Sequence, residues 1–146
     1  NARPAGDGDS AVPSSLSGRV LFMDDEEAIC EMAIVLLGRL GYEIITVSDG
    51  NAALKAYEVA QNQDRPFDVV MMDLTVPGGL GGREAMQELL KVDPSVRGIV
   101  LSGYSSDPVM ADYQEYGFRA RVTKPYRVQD LAKVLRNVLE EPANRA

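Results

Sequence analysis

Histidine is absent from the 146 residues, and that gap excludes a good deal of chemistry. Without imidazole there is no His-based acid–base work and no His ligation of a metal, and this chain cannot itself carry a phosphohistidine. Cysteine is nearly as scarce, since Cys30 stands alone. A disulfide framework is excluded, a reducing compartment (the cytoplasm) is expected, and Cys30, lying in a helical apolar pattern, reads as core filler. Positive charge is also short: 15 Lys and Arg face 22 Asp and Glu, for a formal net charge of −7. That argues against a general nucleic-acid binder, which needs a basic stripe. No apolar run approaches the ~20 residues of a membrane span, and no signal peptide is visible. Neither nucleic acid nor direct membrane contact is expected of this domain.

What remains is 45% hydrophobic and 25% charged, the balance of one soluble globular domain with its own core. Residues 1–18 are Pro, Gly, Ser and Asp with almost nothing to bury, so they read as a flexible linker. The folded domain is expected over 19–141, and 142–146 as a disordered tail. The chain opens on Asn1 rather than Met, which suggests a piece of a longer polypeptide.

Strands and helices alternate along the domain. Val20–Leu21–Phe22–Met23 is an apolar run ending at Asp24 and Asp25. Ile29, Met32, Ala33, Leu36, Leu37 and Leu40 then recur at helical spacing, with Gly41 as the stop. Tyr42 to Val47 is β-rich, and Asp49 caps a helix with Ala53, Ala56, Tyr57 and Ala60 on one side. Val69 to Met72 is apolar without alternation, as in a strand buried on both faces, and it stops at Asp73. A glycine-rich turn and a short helix, Arg83 to Val92, follow. Gly98 to Leu101 is a fourth strand, ending at Ser102; Asp107–Pro108 opens a helix that Gly117 closes. Arg119 to Thr123 is a fifth strand, ending at Lys124–Pro125, and the last helix runs from Arg127 to about Glu140. Five β-α units imply a parallel sheet with helices on both faces, and right-handed crossovers leave few ways to wind it. The expected fold is α/β: a doubly wound, five-stranded parallel sheet of flavodoxin-like order 2-1-3-4-5.

On that sheet Asp24, Asp25, Asp73, Ser102 and Lys124 all fall at carboxyl ends of strands. Strands one and three are neighbours at the switch point, so three carboxylates converge. They would raise one another's pKa unless something positive sits among them. A hard divalent cation with oxygen ligands answers this, and one or two carboxylates plus waters and a phosphate suit Mg²⁺. Carboxylate, metal, lysine and hydroxyl together can hold an in-line phosphoryl group and stabilise its equatorial oxygens. Asp is a known covalent acceptor in such chemistry. Taken singly, each residue has a plainer reading: Asp24 as a helix cap, Ser102 as a strand-end hydroxyl, Lys124 as a surface charge. The GGLGG cluster reads as a tight turn, because no GxxxxGK[ST] is present.

Four segments in order, LFMDDEE, VVMMDLTVPGG, IVLSGYS and VTKPY, each after a strand, resemble the receiver domain of two-component response regulators. The resemblance spans roughly Arg19 to Glu140. It implies that Asp73 is the phosphoacceptor, that Asp25 ligates Mg²⁺ directly with Asp24 assisting through water, and that the Thr75 main-chain carbonyl is a further ligand. Ser102 is then the hydroxyl that swings toward the phosphoryl group, and Lys124 pairs with its oxygens. The implied partner is a histidine kinase or histidine phosphotransfer domain. The family's Lys–Pro bond is usually cis, which makes Lys124–Pro125 a candidate. Thr75 and Tyr104 occupy positions that tune dephosphorylation. Arg121 is a departure, since many receivers carry Tyr or Phe there.

The PGGLGG turn and the segment SGYSSDPVMADYQEYGF are similar to receivers appended to hybrid sensor kinases. A C-terminal receiver of a hybrid kinase is therefore the expected setting, cytoplasmic whether or not the parent kinase is membrane-anchored, with a standalone regulator as the alternative. A haloacid-dehalogenase-type hydrolase wants a second Asp two residues after the first, where this chain has Thr75. A binding-only pseudo-receiver is expected to have lost one of the acids or the lysine, and all are present.

Overall fold

The computed structural model describes residues 18–103 and 107–141. The linker expectation for 1–17, the role given to Tyr104 and the tail expected at 142–146 lie outside the described residues. In chain order the elements are β1 (Gly18–Met23), α1 (Glu27–Gly38), β2 (Tyr42–Val47), α2 (Gly50–Asn62), β3 (Val69–Asp73), α3 (Gly82–Val92), β4 (Gly98–Ser102), α4 (Pro108–Ala111), a 3₁₀ turn (Tyr113–Tyr116), β5 (Ala120–Thr123) and α5 (Val128–Glu140). The five strands form one sheet of order β2-β1-β3-β4-β5, all parallel, as the alternation required.

Every residue of β3 and β4 is buried, which is why neither run alternates in polarity. Successive side chains still point to opposite faces and feed two separate cores. Leu21, Met23, Val70, Met72 and Val100 join Ala53, Tyr57, Met86 and Leu89 under α2 and α3. Val20, Phe22, Val69, Met71, Ile99 and Leu101 join Ala33, Leu37, Leu131 and Leu135 under α1 and α5. A one-residue slip of β3 would exchange the two sets, so its register is firmly specified.

Several boundaries differ from the sequence reading. The first strand starts at Gly18, paired with Tyr42, one residue into the expected linker. Regular helix α1 ends at Gly38; Leu40 and Gly41 close it through tighter bonds to the carbonyls of Leu37 and Gly38, with Gly41 at φ 105°. The largest difference is the expected helix between Asp107 and Gly117. Asp107 caps it as read, its Oδ1 accepting from the Val109 amide at 2.9 Å. The α-helix nevertheless stops at Ala111, and a 3₁₀ turn replaces the rest. A continuing helix would bond the Met110 carbonyl to the amide four residues on. Here that carbonyl instead accepts from Arg121 Nη1 at 2.7 Å.

At the edge opposite the strand carboxyl ends, a polar pin joins α2 to the α3–β4 turn. Asp93 Oδ2 accepts from Tyr57 Oη at 2.7 Å and Gln61 Nε2 at 3.2 Å, while Oδ1 accepts from the Ser95 amide and hydroxyl. Burial alone would raise the Asp93 pKa; the Tyr57 and Ser95 donors outweigh it and bring it below the ordinary value. A depressed folded-state value means that this stabilisation is full above the unfolded pKa, roughly 4, and fades as pH falls through the lowered one. Tyr57→Phe, which keeps the buried ring, is expected to cost about 1 kcal/mol in urea unfolding at pH 7. The deficit should shrink in acid as Asp93 protonates.

Candidate functional site

Parallel strands deliver their carboxyl-terminal residues to one edge, and the switch point between β1 and β3 opens a crevice there. Asp73 is the last residue of β3 and Ser102 the last of β4, both buried at 6% and 2% exposure. Asp24 follows β1 and is 1% exposed, whereas Asp25 is exposed. The Asp24 amide is tied to the Val47 carbonyl at 3.1 Å, and its Oδ1 accepts from the Glu26 amide at 2.8 Å. Asp24 therefore orders the turn into α1, while Glu26 holds the N-cap position. Lys124 follows β5, its amide donating to the Ser102 carbonyl at 2.7 Å. The Lys124–Pro125 bond is cis.

The loop after β3 is shaped by glycine. A Cβ on Gly82 would lie 2.7 Å from the Asp73 carbonyl oxygen, and one on Gly81 would collide with the Leu74 carbonyl. Only glycine lets α3 start hard against the end of β3. This bears out the turn reading of the cluster.

The expected residues meet. One carboxylate oxygen from each of Asp24, Asp25 and Asp73 lies within 4.8 Å of the others. Lys124 Nζ stands 3.1 Å from Asp24 Oδ2 and 3.3 Å from Asp73 Oδ2, bridging the two buried acids. The Thr75 amide faces Asp73 Oδ1 at 3.5 Å. Asp25, Glu26, Asp73, Thr75, Pro77, Ser102, Gly103 and Lys124 line an open cavity of about 370 Å³. Glu26 is a lining residue to which the sequence reading gave no role. The run of acids in LFMDDEE was the available signal.

Charge sets the character of this cavity. Burial pushes the Asp73 carboxyl up from its ordinary value; Lys124 pulls it down, Asp24 pushes it further up, and the net shift is upward. Burial would lower the Lys124 pKa, but its bonds and charge attraction to Asp24 and Asp73 prevail and raise it. One ammonium thus serves two buried carboxylates, and a third is adjacent. Asp24 Oδ2 is buried without a well-aligned hydrogen bond, although Lys124 is close. An all-oxygen, carboxylate-rich donor set served by a single ammonium fits a hard divalent cation of the Mg²⁺ kind.

The family described as response regulator receiver domain matches residues 20–136. This chain belongs to that family. Relatives include the CAI-1 autoinducer sensor kinase/phosphatase CqsS of Vibrio cholerae, 32% identical over 110 residues that make up 73% of this chain and 15% of that protein. The sensory transduction protein RegX3 of Mycobacterium tuberculosis is 32% identical over 120 residues, 82% of this chain and 50% of RegX3. The chain thus spans half or less of these two relatives. Chemotaxis protein CheY of Thermotoga maritima, 27% identical, is covered over 96% of its length by 82% of this chain. Among solved structures, a receiver domain protein from Clostridium thermocellum superimposes with TM-score 0.72 at 28% identity, over 84% of this chain and 94% of that one. The response regulator TrrA of T. maritima, solved in complex with Mg(2+)-BeF, gives TM-score 0.69 at 27% identity over 83% and 98%. No helix among the described residues is long and apolar enough to cross a membrane.

A receiver's acidic centre costs folding free energy when no cation is bound. Asp73 titrates above its ordinary value, so its ionised form destabilises the fold, and the cost disappears as pH falls through the raised value. Asp73→Asn should therefore unfold at higher temperature than the parent at pH 7 in the presence of a chelator. Mg²⁺ should then stabilise the parent more than the variant, as thermal unfolding with and without metal will show.

Proposed function

We propose that this receiver accepts a phosphoryl group on Asp73 in a histidine-to-aspartate relay, with Mg²⁺ held by Asp24, Asp25, Asp73 and the Thr75 main-chain carbonyl. The observation that carries the reading is Lys124 Nζ within 3.3 Å of Asp73, in a cavity also lined by Ser102, Asp25 and Thr75. A carboxylate oxygen of Asp73 attacks phosphorus, the P–N bond to the donor imidazole breaks, and its electron pair returns to nitrogen. When bound, Mg²⁺ supplies the positive charge that lets a dianion approach three acids. Lys124 leaves Asp24 to meet the phosphoryl oxygens, and the Ser102 hydroxyl donates to another. Thr75 supports acceptance over hydrolase chemistry, because no carboxyl stands there to protonate a leaving group.

The donor is a histidine on another domain or protein, since this chain has none. Similarity to CqsS and to sensor kinase CckA of Brucella abortus supports a receiver attached to a hybrid kinase, with output through protein contact. A short flexible tether would raise the local acceptor concentration to roughly millimolar. Similarity to single-domain CheY supports the alternative, a standalone regulator. The complete gene separates them: a start codon just upstream of Asn1, or a DNA-binding domain just after Ala146, refutes the hybrid assignment.

Incubation with a small phosphodonor should add one phosphoryl group by mass, only when Mg²⁺ is present. Undiminished labelling of Asp73→Asn sinks the assignment. Ser102→Ala should still bind metal and take up the group, yet fail to shift the β4–α4 region in amide spectra recorded with beryllofluoride. Lys124→Ala should uncouple in the same way. Parent-like shifts in both variants would remove them from any switching role.

A further inference from the structure

With Mg²⁺ in place, the charges of the proposed centre balance: the metal and Lys124 together offset Asp24, Asp25 and Asp73. One charge on the cavity lining is left over, and it belongs to Glu26. Its side chain is exposed, makes no ion pair among the described residues and does not cap α1. Its backbone is nevertheless well placed, with the amide held by Asp24 Oδ1 at 2.8 Å and the carbonyl accepting from the Ile29 amide at 3.1 Å and the Cys30 amide at 3.2 Å. Glu26 lines the cavity holding Asp73, and also the adjoining groove of Ile29, Met32, Gly103, Lys124, Pro125 and Tyr126. It thus stands where the two spaces meet.

We propose that Glu26 is a specificity-determining residue that selects phosphodonors by the charge of their leaving group. This rests on Asp73 being the acceptor. In-line displacement sends the leaving group away from Asp73 and toward the open mouth of the cavity. When a protonated nitrogen donor such as phosphoramidate reacts, the P–N bond breaks, the electron pair stays on nitrogen, and ammonia departs. The Glu26 carboxylate attracts that nitrogen while it still carries positive charge. When acetyl phosphate reacts, the P–O bond breaks and acetate departs with a full negative charge. Glu26 repels it as that charge develops on the departing oxygen.

The test is the rate of Asp73 labelling with phosphoramidate and with acetyl phosphate, at saturating Mg²⁺ and low ionic strength. Glu26→Gln should shift the phosphoramidate-to-acetyl-phosphate ratio toward acetyl phosphate by about three- to tenfold, and Glu26→Lys further. Added salt should narrow the difference. Glu27→Gln removes a neighbouring exposed charge that does not line the cavity, so its ratio should stay at the parent value. Mg²⁺ affinity, read from amide shifts, sets the concentration that saturates each variant; a Glu26→Gln ratio that returns to the parent value once Mg²⁺ is saturating overturns the proposal. Equal changes with both donors, or the same change in Glu27→Gln, also overturn it. Failure of the parent to label with either donor would instead overturn the acceptor role of Asp73.

Discussion

Like charges converging at a strand edge are the constraint around which this molecule is built. Oxygens of three carboxylates stand within 4.8 Å of one another, two of those residues are buried, and one ammonium bridges the buried pair. Burial pushes the Asp73 carboxyl up from its ordinary value, Lys124 pulls it back, and the neighbouring Asp24 adds to the rise. A centre already satisfied by its own side chains would gain little from a metal or a phosphoryl group, whereas this one has interactions waiting to be completed.

The fold fixes that convergence at low local cost. Parallel pairing places Met72 of β3 beside Met23 of β1 and Asp73 beside Leu101 of β4, so the chain ends fan out at one edge without any specialised loop. Two unlike apolar layers hold the register, and at Gly81 and Gly82 a side chain would drive the start of α3 off the end of β3. The far edge carries its own polar pin at Tyr57 and Asp93. Stability is thereby placed away from the site, where it does not compete with the charges that must move.

Most of this was legible in the chain. Unbroken apolar runs ending in Asp24, Asp73 and Ser102 gave strand positions, and β-α alternation then left little freedom in topology. Turn chemistry at Asp49 and Asp107 was read correctly because an Asx cap is a local interaction. The failures were non-local. The segment after Asp107 has helical spacing, yet its α-helix ends after Ala111 because a guanidinium from β5 takes the Met110 carbonyl. Glu26 was passed over for a related reason: its importance lies in facing a cavity whose other charges are already matched, and that balance exists only in three dimensions.

Arg121 links the strand that leads to Lys124 with the helix that follows β4. It lies on β5 beside Val100 of β4, three residues before Lys124, so one short strand and the residue after it supply both the donor that binds Met110 and the charge that faces Asp73. Its guanidinium also lies 5.8 Å over the Tyr113 ring. An aromatic side chain at such a position can exchange a solvent-facing rotamer for an apolar slot at small cost. A guanidinium cannot, because burying its charge without a partner is far more expensive than burying a ring. Arg121 is confined to exchanging one polar contact for another at the surface, and its principal contact is the carbonyl where α4 ends. Arg121 thus ties β5 directly to the backbone where α4 gives way to the 3₁₀ turn.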